Sequence, residues 1–206
     1  MWSDISSSGS RASWSRAPAS GSTPAEHHRE VASGFARRVD GTTDWDAPAP
    51  VDGWTARDVV GHLVEWFPGF LQAGTGIRLD AGPSVADDPV AAWHTHAAAV
   101  QQLLDDPAYA DRVLSNPHIG DVPLPEAVDR FYTADVFMHT WDLARATGQD
   151  ETLDADTCAQ LLAGMEPMDE ILRASGQYSA RVPVPDDADV QTRLIGFIGR
   201  DPDWRP

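Results

Sequence analysis

The sequence predicts an all-α fold, an antiparallel helical bundle with added helices, on three observations. Beyond residue 22, apolar residues recur at spacings of three and four. Capping residues followed by proline or an acid mark where the periodic segments start, and almost no stretch alternates apolar with polar as a half-buried strand would. A chain of 206 residues is long enough to close one sizeable core.

Residues 1–22 are rich in Ser, Gly and Ala, with isolated Trp2 and Trp14 and no apolar period, and read as a disordered extension. Arg11 and Arg16 against the single acid Asp4 resemble a transit peptide only faintly; a tag remnant or an extended start is the preferred reading, and no function is assigned. The bundle is expected over residues 23–206.

Thr23-Pro24-Ala25-Glu26 combines a cap, a proline at the first helical position and a capping-box acid, and Val31, Phe35 and Val39 then mark one face up to Gly41. After the Pro-rich connection DWDAPAPVDG, a second helix starts at Thr55, with Asp58 as capping-box partner and Trp54 and Val59 as a hydrophobic staple. Its inward stripe is Val59, His62 or Leu63, Trp66 and Phe70, and Pro68 should bend or break its last turn.

Asp88-Pro89 opens a third helix whose buried face is Trp93, Ala97, Val100 and Leu104. The stretch from Asp106 to Leu124 reads as turns with a short extended piece. A fourth helix, from about Pro125 to Thr147 with Gly148 as its C-terminal cap, is apolar over more than half its circumference and should be central. Asp154 caps a fifth, carrying Cys158, Leu161, Leu162, Met165 and Met168 and interrupted at Pro167; a last helix from about Asp187 to Gly199 presents Val190, Leu194 and Phe197.

Composition removes several function classes. Fifteen arginines and no lysine against 32 acids leave a net charge of −17, which repels phosphate backbones, so nucleic acid is not an expected partner. No apolar run approaches the ~20 residues of a membrane span, and MWSDISSSGS lacks the blocks of a signal peptide; a cytoplasmic, non-membrane protein is expected. The single cysteine, Cys158, excludes an intrachain disulfide and a multi-cysteine zinc site, so any metal ligands must be His and carboxylate. Cys158 itself fits the helical stripe as a core residue rather than a nucleophile.

On the fourth helix Asp135 and His139 stand four residues apart, one above the other on the face of Val128, Phe131 and Met138. A carboxylate in such a place must be paired, hydrogen-bonded or on a metal. His139 can do this alone as an imidazolium partner. His62 on the second helix can also face inward and lie opposite the pair, and two histidines with a carboxylate are a usual way to hold zinc or a similar ion. Spacing alone leaves both readings open, because inter-helix register is not legible in one sequence.

Asp142, one turn beyond His139, can orient it or pair with Arg145. His96, three residues from Trp93, is a possible fourth ligand. His94 cannot share its face, His27 and His28 are expected to face solvent, and His118 lies in a loop.

GWTARDVVGHLVEW (53–66) and YTADVFMHTWDLARATGQ (132–149) resemble two motifs of the DinB-like superfamily. They are most similar to the metal-binding domain of mycothiol-dependent maleylpyruvate isomerases and its uncharacterised actinobacterial relatives, and VQTRLIGFIGRDPDW near the C-terminus is similar to that uncharacterised branch. The resemblance spans about residues 23–206. It implies a DinB-like four-helix bundle with additional C-terminal helices, and a zinc-like ion held by His62, Asp135 and His139. The isomerase has Glu where this chain has Asp135, which leaves metal identity more open than the site: zinc first, with nickel, iron or manganese as alternatives.

Three protein ligands leave a metal position open, and an ion with one carboxylate keeps a positive charge that attracts an anion. The resemblance, with no well-placed cysteine in the chain, implies metal-dependent transfer or isomerisation using an external low-molecular-weight thiol such as mycothiol and a small anionic or electrophilic substrate. Maleylpyruvate itself is disfavoured, since only a short helical tail follows the bundle where the isomerase has a substrate-binding domain. The alternatives are a metal-dependent hydrolase with Asp142 or Glu65 as base, and a non-catalytic metal-stabilised scaffold or ligand-binding protein. Monomer and homodimer are both compatible with the acidic surface.

Overall fold

The computed structural model describes residues 21–206, so the disordered extension read at 1–22 falls outside the described residues except for its last two. Helix α1 (Pro24–Gly41) begins as its sequence dictates: Thr23 and Glu26 form a reciprocal capping box, with the Glu26 N–H donating to Thr23 Oγ1 at 3.2 Å. Thr55 and Asp58 do the same for α2 (Ala56–Thr75), and the Asp88 side chain caps α3 (Pro89–Asp105) from the Ala91 N–H at 2.9 Å. Each cap satisfies donors that a helix start leaves unpaired.

The irregular stretch after α3 contains a small antiparallel hairpin, β1 (Val113–Asn116) with β2 (Gly120–Pro123), Val113 opposite Pro123. The expected fourth helix is a continuous run of three pieces: α4 (Leu124–Ala127), a π-helical turn (Val128–Thr133) and α5 (Ala134–Thr147). Gly148 ends it in the left-handed region (φ 66°), the conformation in which glycine is least strained. Helices α6 (Ala155–Met165), α7 (Asp169–Ala174) and α8 (Val190–Phe197) follow, with a single 3-10 turn across Pro167.

Helix α1 packs on α3 and α5, and α2 packs on α3 and α5, so the four close a ring around one core; α6 and α8 pair beside it. Phe35, Leu63, Phe67, Trp93, Tyr132 and Trp141 are among the fully buried side chains. At ~1.5–3 kcal/mol for each large apolar side chain removed from water, this core is the main stabilising term. No described helix is long and apolar enough to cross a membrane.

Three local expectations change. Pro68 does not break α2, which runs on to Thr75: Pro68 and Val64 lie on its half-buried flank, while Phe67 and Leu71 anchor the turns on either side in the core. The buried stripe of α2 is Val59, Val60, Leu63, Phe67 and Leu71, so His62, Trp66 and Phe70 sit at its border rather than at its centre. On α3 the stripe runs through Trp93, His96, Val100 and Leu103 rather than Ala97 and Leu104.

Candidate metal centre

The border position of His62 is what makes a site possible. Its ring reaches the α5 face, where Nε2 lies 3.0 Å from Asp135 Oδ2. Asp135 and His139, stacked by their four-residue spacing, present Oδ1 and Nε2 to each other at 3.5 Å. One ligand atom from each of His62, Asp135 and His139 falls within 4.8 Å of the other two. Exposure is graded across the cluster: the His62 side chain is 32% accessible, Asp135 20% and His139 6%, so the site opens to solvent on the α2 side.

Three further contacts hold these groups. Trp66, one turn after His62, donates its indole N–H to Asp135 Oδ2 at 3.0 Å. The Trp54 ring packs against both imidazoles, its centroid 5.1 Å from that of His62 and 5.8 Å from that of His139, nearly parallel to the latter. Behind His139, Nδ1 lies 2.8 Å from Oδ2 of the fully buried Asp142, which Arg200 grips with both oxygens, Nε to Oδ1 at 3.1 Å and Nη2 to Oδ2 at 3.2 Å. Burial pushes both carboxyls up. It is outweighed at Asp142 by Arg200 and His139, and at Asp135 by His139, His62 and Trp66, so both stay below their ordinary value and are ionised at neutral pH.

The profile of the mycothiol maleylpyruvate isomerase N-terminal domain family matches residues 25–144, from the start of α1 to the last turns of α5, and so contains all three converging side chains. The chain belongs to this family. Two uncharacterised proteins, from two strains of Mycobacterium tuberculosis, are each 30% identical to it over 156 residues, covering 74% of this chain and 83% of their own. No solved structure matches the chain significantly. The mycothiol maleylpyruvate isomerase N-terminal domain family therefore supplies the α1–α5 frame of the site, whereas Arg200 comes from outside the matched segment.

The donor set fits a divalent ion. A carboxylate facing His139 Nδ1 at 2.8 Å places the proton on that nitrogen, which turns the Nε2 lone pair of a neutral imidazole toward Asp135. A lone pair and a carboxylate oxygen opposed in this way need a cation or a second ring proton between them. In a tetrahedral zinc shell with bonds of ~2.0–2.1 Å, neighbouring ligand atoms stand about 3.3–3.4 Å apart. Asp135 meets His62 at 3.0 Å through Oδ2 and His139 at 3.5 Å through Oδ1, and one ligand atom from each residue lies within 4.8 Å of the others, so a common shell needs a small inward shift of these side chains.

Of the weaker candidates, Asp142 stands directly behind His139, while Arg145 pairs with Glu151 at 2.7 Å instead. His96 does not join the site: it is buried on α3 with its ring 5.5 Å from that of Tyr132 and 6.2 Å from that of Phe67, because it continues the Trp93–Val100 stripe. His28 is fully buried rather than solvent-facing, since the α1 stripe extends one turn further back, and its Nδ1 meets Thr133 Oγ1 at 3.0 Å. His27, expected to face solvent, is half-buried on Asp129; His94 is exposed and off the face of His96, and His118 is exposed in its loop. Glu65 points to solvent. Cys158 is buried, and its thiol is pushed up to about 12, which suits a core residue.

Sequence reasoning missed Trp54 and Trp66 as site residues, reading one as a staple and the other as core, and missed Arg200 altogether. Trp66 carried a usable signal: it is one turn from His62 with a polar N–H that a buried indole must satisfy. Arg200 carried none, being 58 residues from its partner.

Proposed function

We propose that His62, Asp135 and His139 hold one divalent ion, zinc by the borderline character of two imidazoles and a carboxylate. We further propose that the protein uses it to react an external low-molecular-weight thiol of the mycothiol kind with a small electrophilic or anionic substrate, by transfer or isomerisation. The observation that carries this reading is the convergence of three ligand atoms within 4.8 Å on a face still open to solvent. Family membership supports the thiol.

A divalent ion bound there lowers the pKa of a thiol or water near it and polarises a carbonyl. The chain's own groups do the rest. Asp135 contributes one negative charge, so the loaded site keeps about one positive charge and selects an anion or thiolate within a protein of net charge −17. Asp142, fixed by Arg200, holds the His139 ring so that Nε2 faces the site. Trp54 packs on both imidazoles and Trp66 holds Asp135 Oδ2 through its indole N–H, so the two rings orient the ligand side chains. Buried Cys158, with its thiol held protonated, leaves the nucleophile to come from outside.

Of the two bases the hydrolytic alternative offers, Asp142 is fully buried with both oxygens engaged, which leaves the exposed Glu65 to serve. The test is consumption of mycothiol or a simple analogue with a panel of electrophiles, before and after chelation and zinc return. Metal-dependent thiol loss that His139→Ala abolishes supports the proposal. Absence of thiol consumption across the panel, together with a large fall in Tm on chelation, assigns the site to a scaffold instead.

A further inference from the structure

A second polar cluster lies inside the bundle, separate in its residues from the three converging ligands but adjoining them through Trp66, whose ring centroid is 5.9 Å from that of Tyr132. His28 Nε2 on α1, Trp93 Nε1 and His96 Nε2 on α3, and the Tyr132 hydroxyl on the π-helical turn are all buried and make no hydrogen bond to the described residues. They are close together. The Tyr132 ring centroid is 5.7 Å from that of His28 and 5.5 Å from that of His96, and Trp93 and His96 are 6.5 Å apart. Phe67 closes one side by stacking on Tyr132 at 4.2 Å.

Buried polar atoms in folded proteins are nearly always satisfied, and each one left unpaired costs ~1–3 kcal/mol. Four in one place, drawn from three elements, are not explained by a dry core. The π-turn adds to this: such a turn widens the helix at a cost in hydrogen-bond geometry, and here it carries Tyr132 and Thr133 into the cluster. His28 Nδ1 on Thr133 Oγ1 pins the turn from α1 and leaves Nε2 directed elsewhere.

We infer that His28, Trp93, His96 and Tyr132 enclose an internal binding site for a small neutral hydrogen-bonding molecule, namely water. The four groups combine an obligate donor (Trp93), a donor–acceptor hydroxyl (Tyr132) and two imidazoles, and a buried water characteristically makes about three such bonds. Burial keeps both imidazoles uncharged at neutral pH. With no carboxylate among the four, a divalent ion would stand uncompensated in the core, so the site is not a second metal centre. The inference is independent of the proposed metal function.

The sign of a stability change tests it. In a dry core, Tyr132→Phe deletes an unsatisfied hydroxyl and raises Tm; at a water site it removes a hydrogen bond and lowers Tm by about 2–6 °C. His96→Phe should also lower Tm, and the double variant should lose less than the sum of the two, because both groups serve one molecule. A crystal structure of the full chain should show ordered density bonded to at least two of the four atoms. A Tm raised or unchanged by Tyr132→Phe, additive losses, or an ion in place of water would each overturn the inference.

Discussion

His139 and Asp142 meet at 2.8 Å, three residues apart on α5, and the contact fixes which imidazole nitrogen faces Asp135. Arg200 completes a chain from the C-terminal tail through Asp142 to His139. Such outer partners raise the basicity of a ligating histidine and lock its ring. Asp142→Asn is expected to weaken zinc binding roughly 10–100-fold with the fold retained, measured by calorimetric titration at fixed pH. An unchanged affinity would show that Asp142 serves only the core.

Arg200→Ala should be the more damaging change to stability, because it leaves the Asp142 carboxylate buried without its guanidinium, with His139 Nδ1 as its remaining partner. The expected loss is about 3–5 kcal/mol, read by urea denaturation, with Arg200→Lys intermediate because an ammonium cannot reproduce the two-pronged grip. A loss below about 1 kcal/mol would mean that the tail and α5 are not coupled through this pair.

Acid should unfold the protein earlier than carboxylate titration alone requires. Burial holds His28 and His96 at about 4, below the ordinary 6.5, so between those values the unfolded chain binds more protons than the folded one. Their stabilisation is therefore complete above pH 6.5 and is lost as pH falls toward 4. At ~1.4 kcal/mol per pH unit this amounts to about 3 kcal/mol for each group. Stability curves at pH 7, 5.5 and 4.5 for the parent and for His96→Phe check it: the variant should show the shallower dependence over this window.

The two capping boxes give a prediction free of any functional reading. Thr23→Ala and Thr55→Ala should each cost about 1 kcal/mol, a Tm fall of about 2–4 °C, additive because the caps are separate.

Those caps were fully legible in the chain, because a capping box is local chemistry within four residues, and so were the Gly148 stop and the Asp135/His139 stack. His62 was legible as a residue type near the right stripe. Its border position, which leaves the site open, was not, since two adjacent stripes of α2 are both apolar. The π-turn has no local signature in VDRFYT; it is set by the packing of Tyr132 and Thr133 against α1 and α3. His28 was within reach by extending the α1 stripe one step back from Val31, and His96 by its spacing of three from Trp93 and four from Val100. Arg200 on Asp142 is a long-range pairing that no periodicity encodes.

The most direct test of the metal centre is elemental analysis of the purified protein beside His62→Ala, Asp135→Ala and His139→Ala, each checked for helical content and melting. The predicted result is close to one divalent ion per folded parent chain and a large loss in every variant. Stoichiometric metal persisting unchanged in all three, or a folded parent that takes up no zinc on titration, would contradict it.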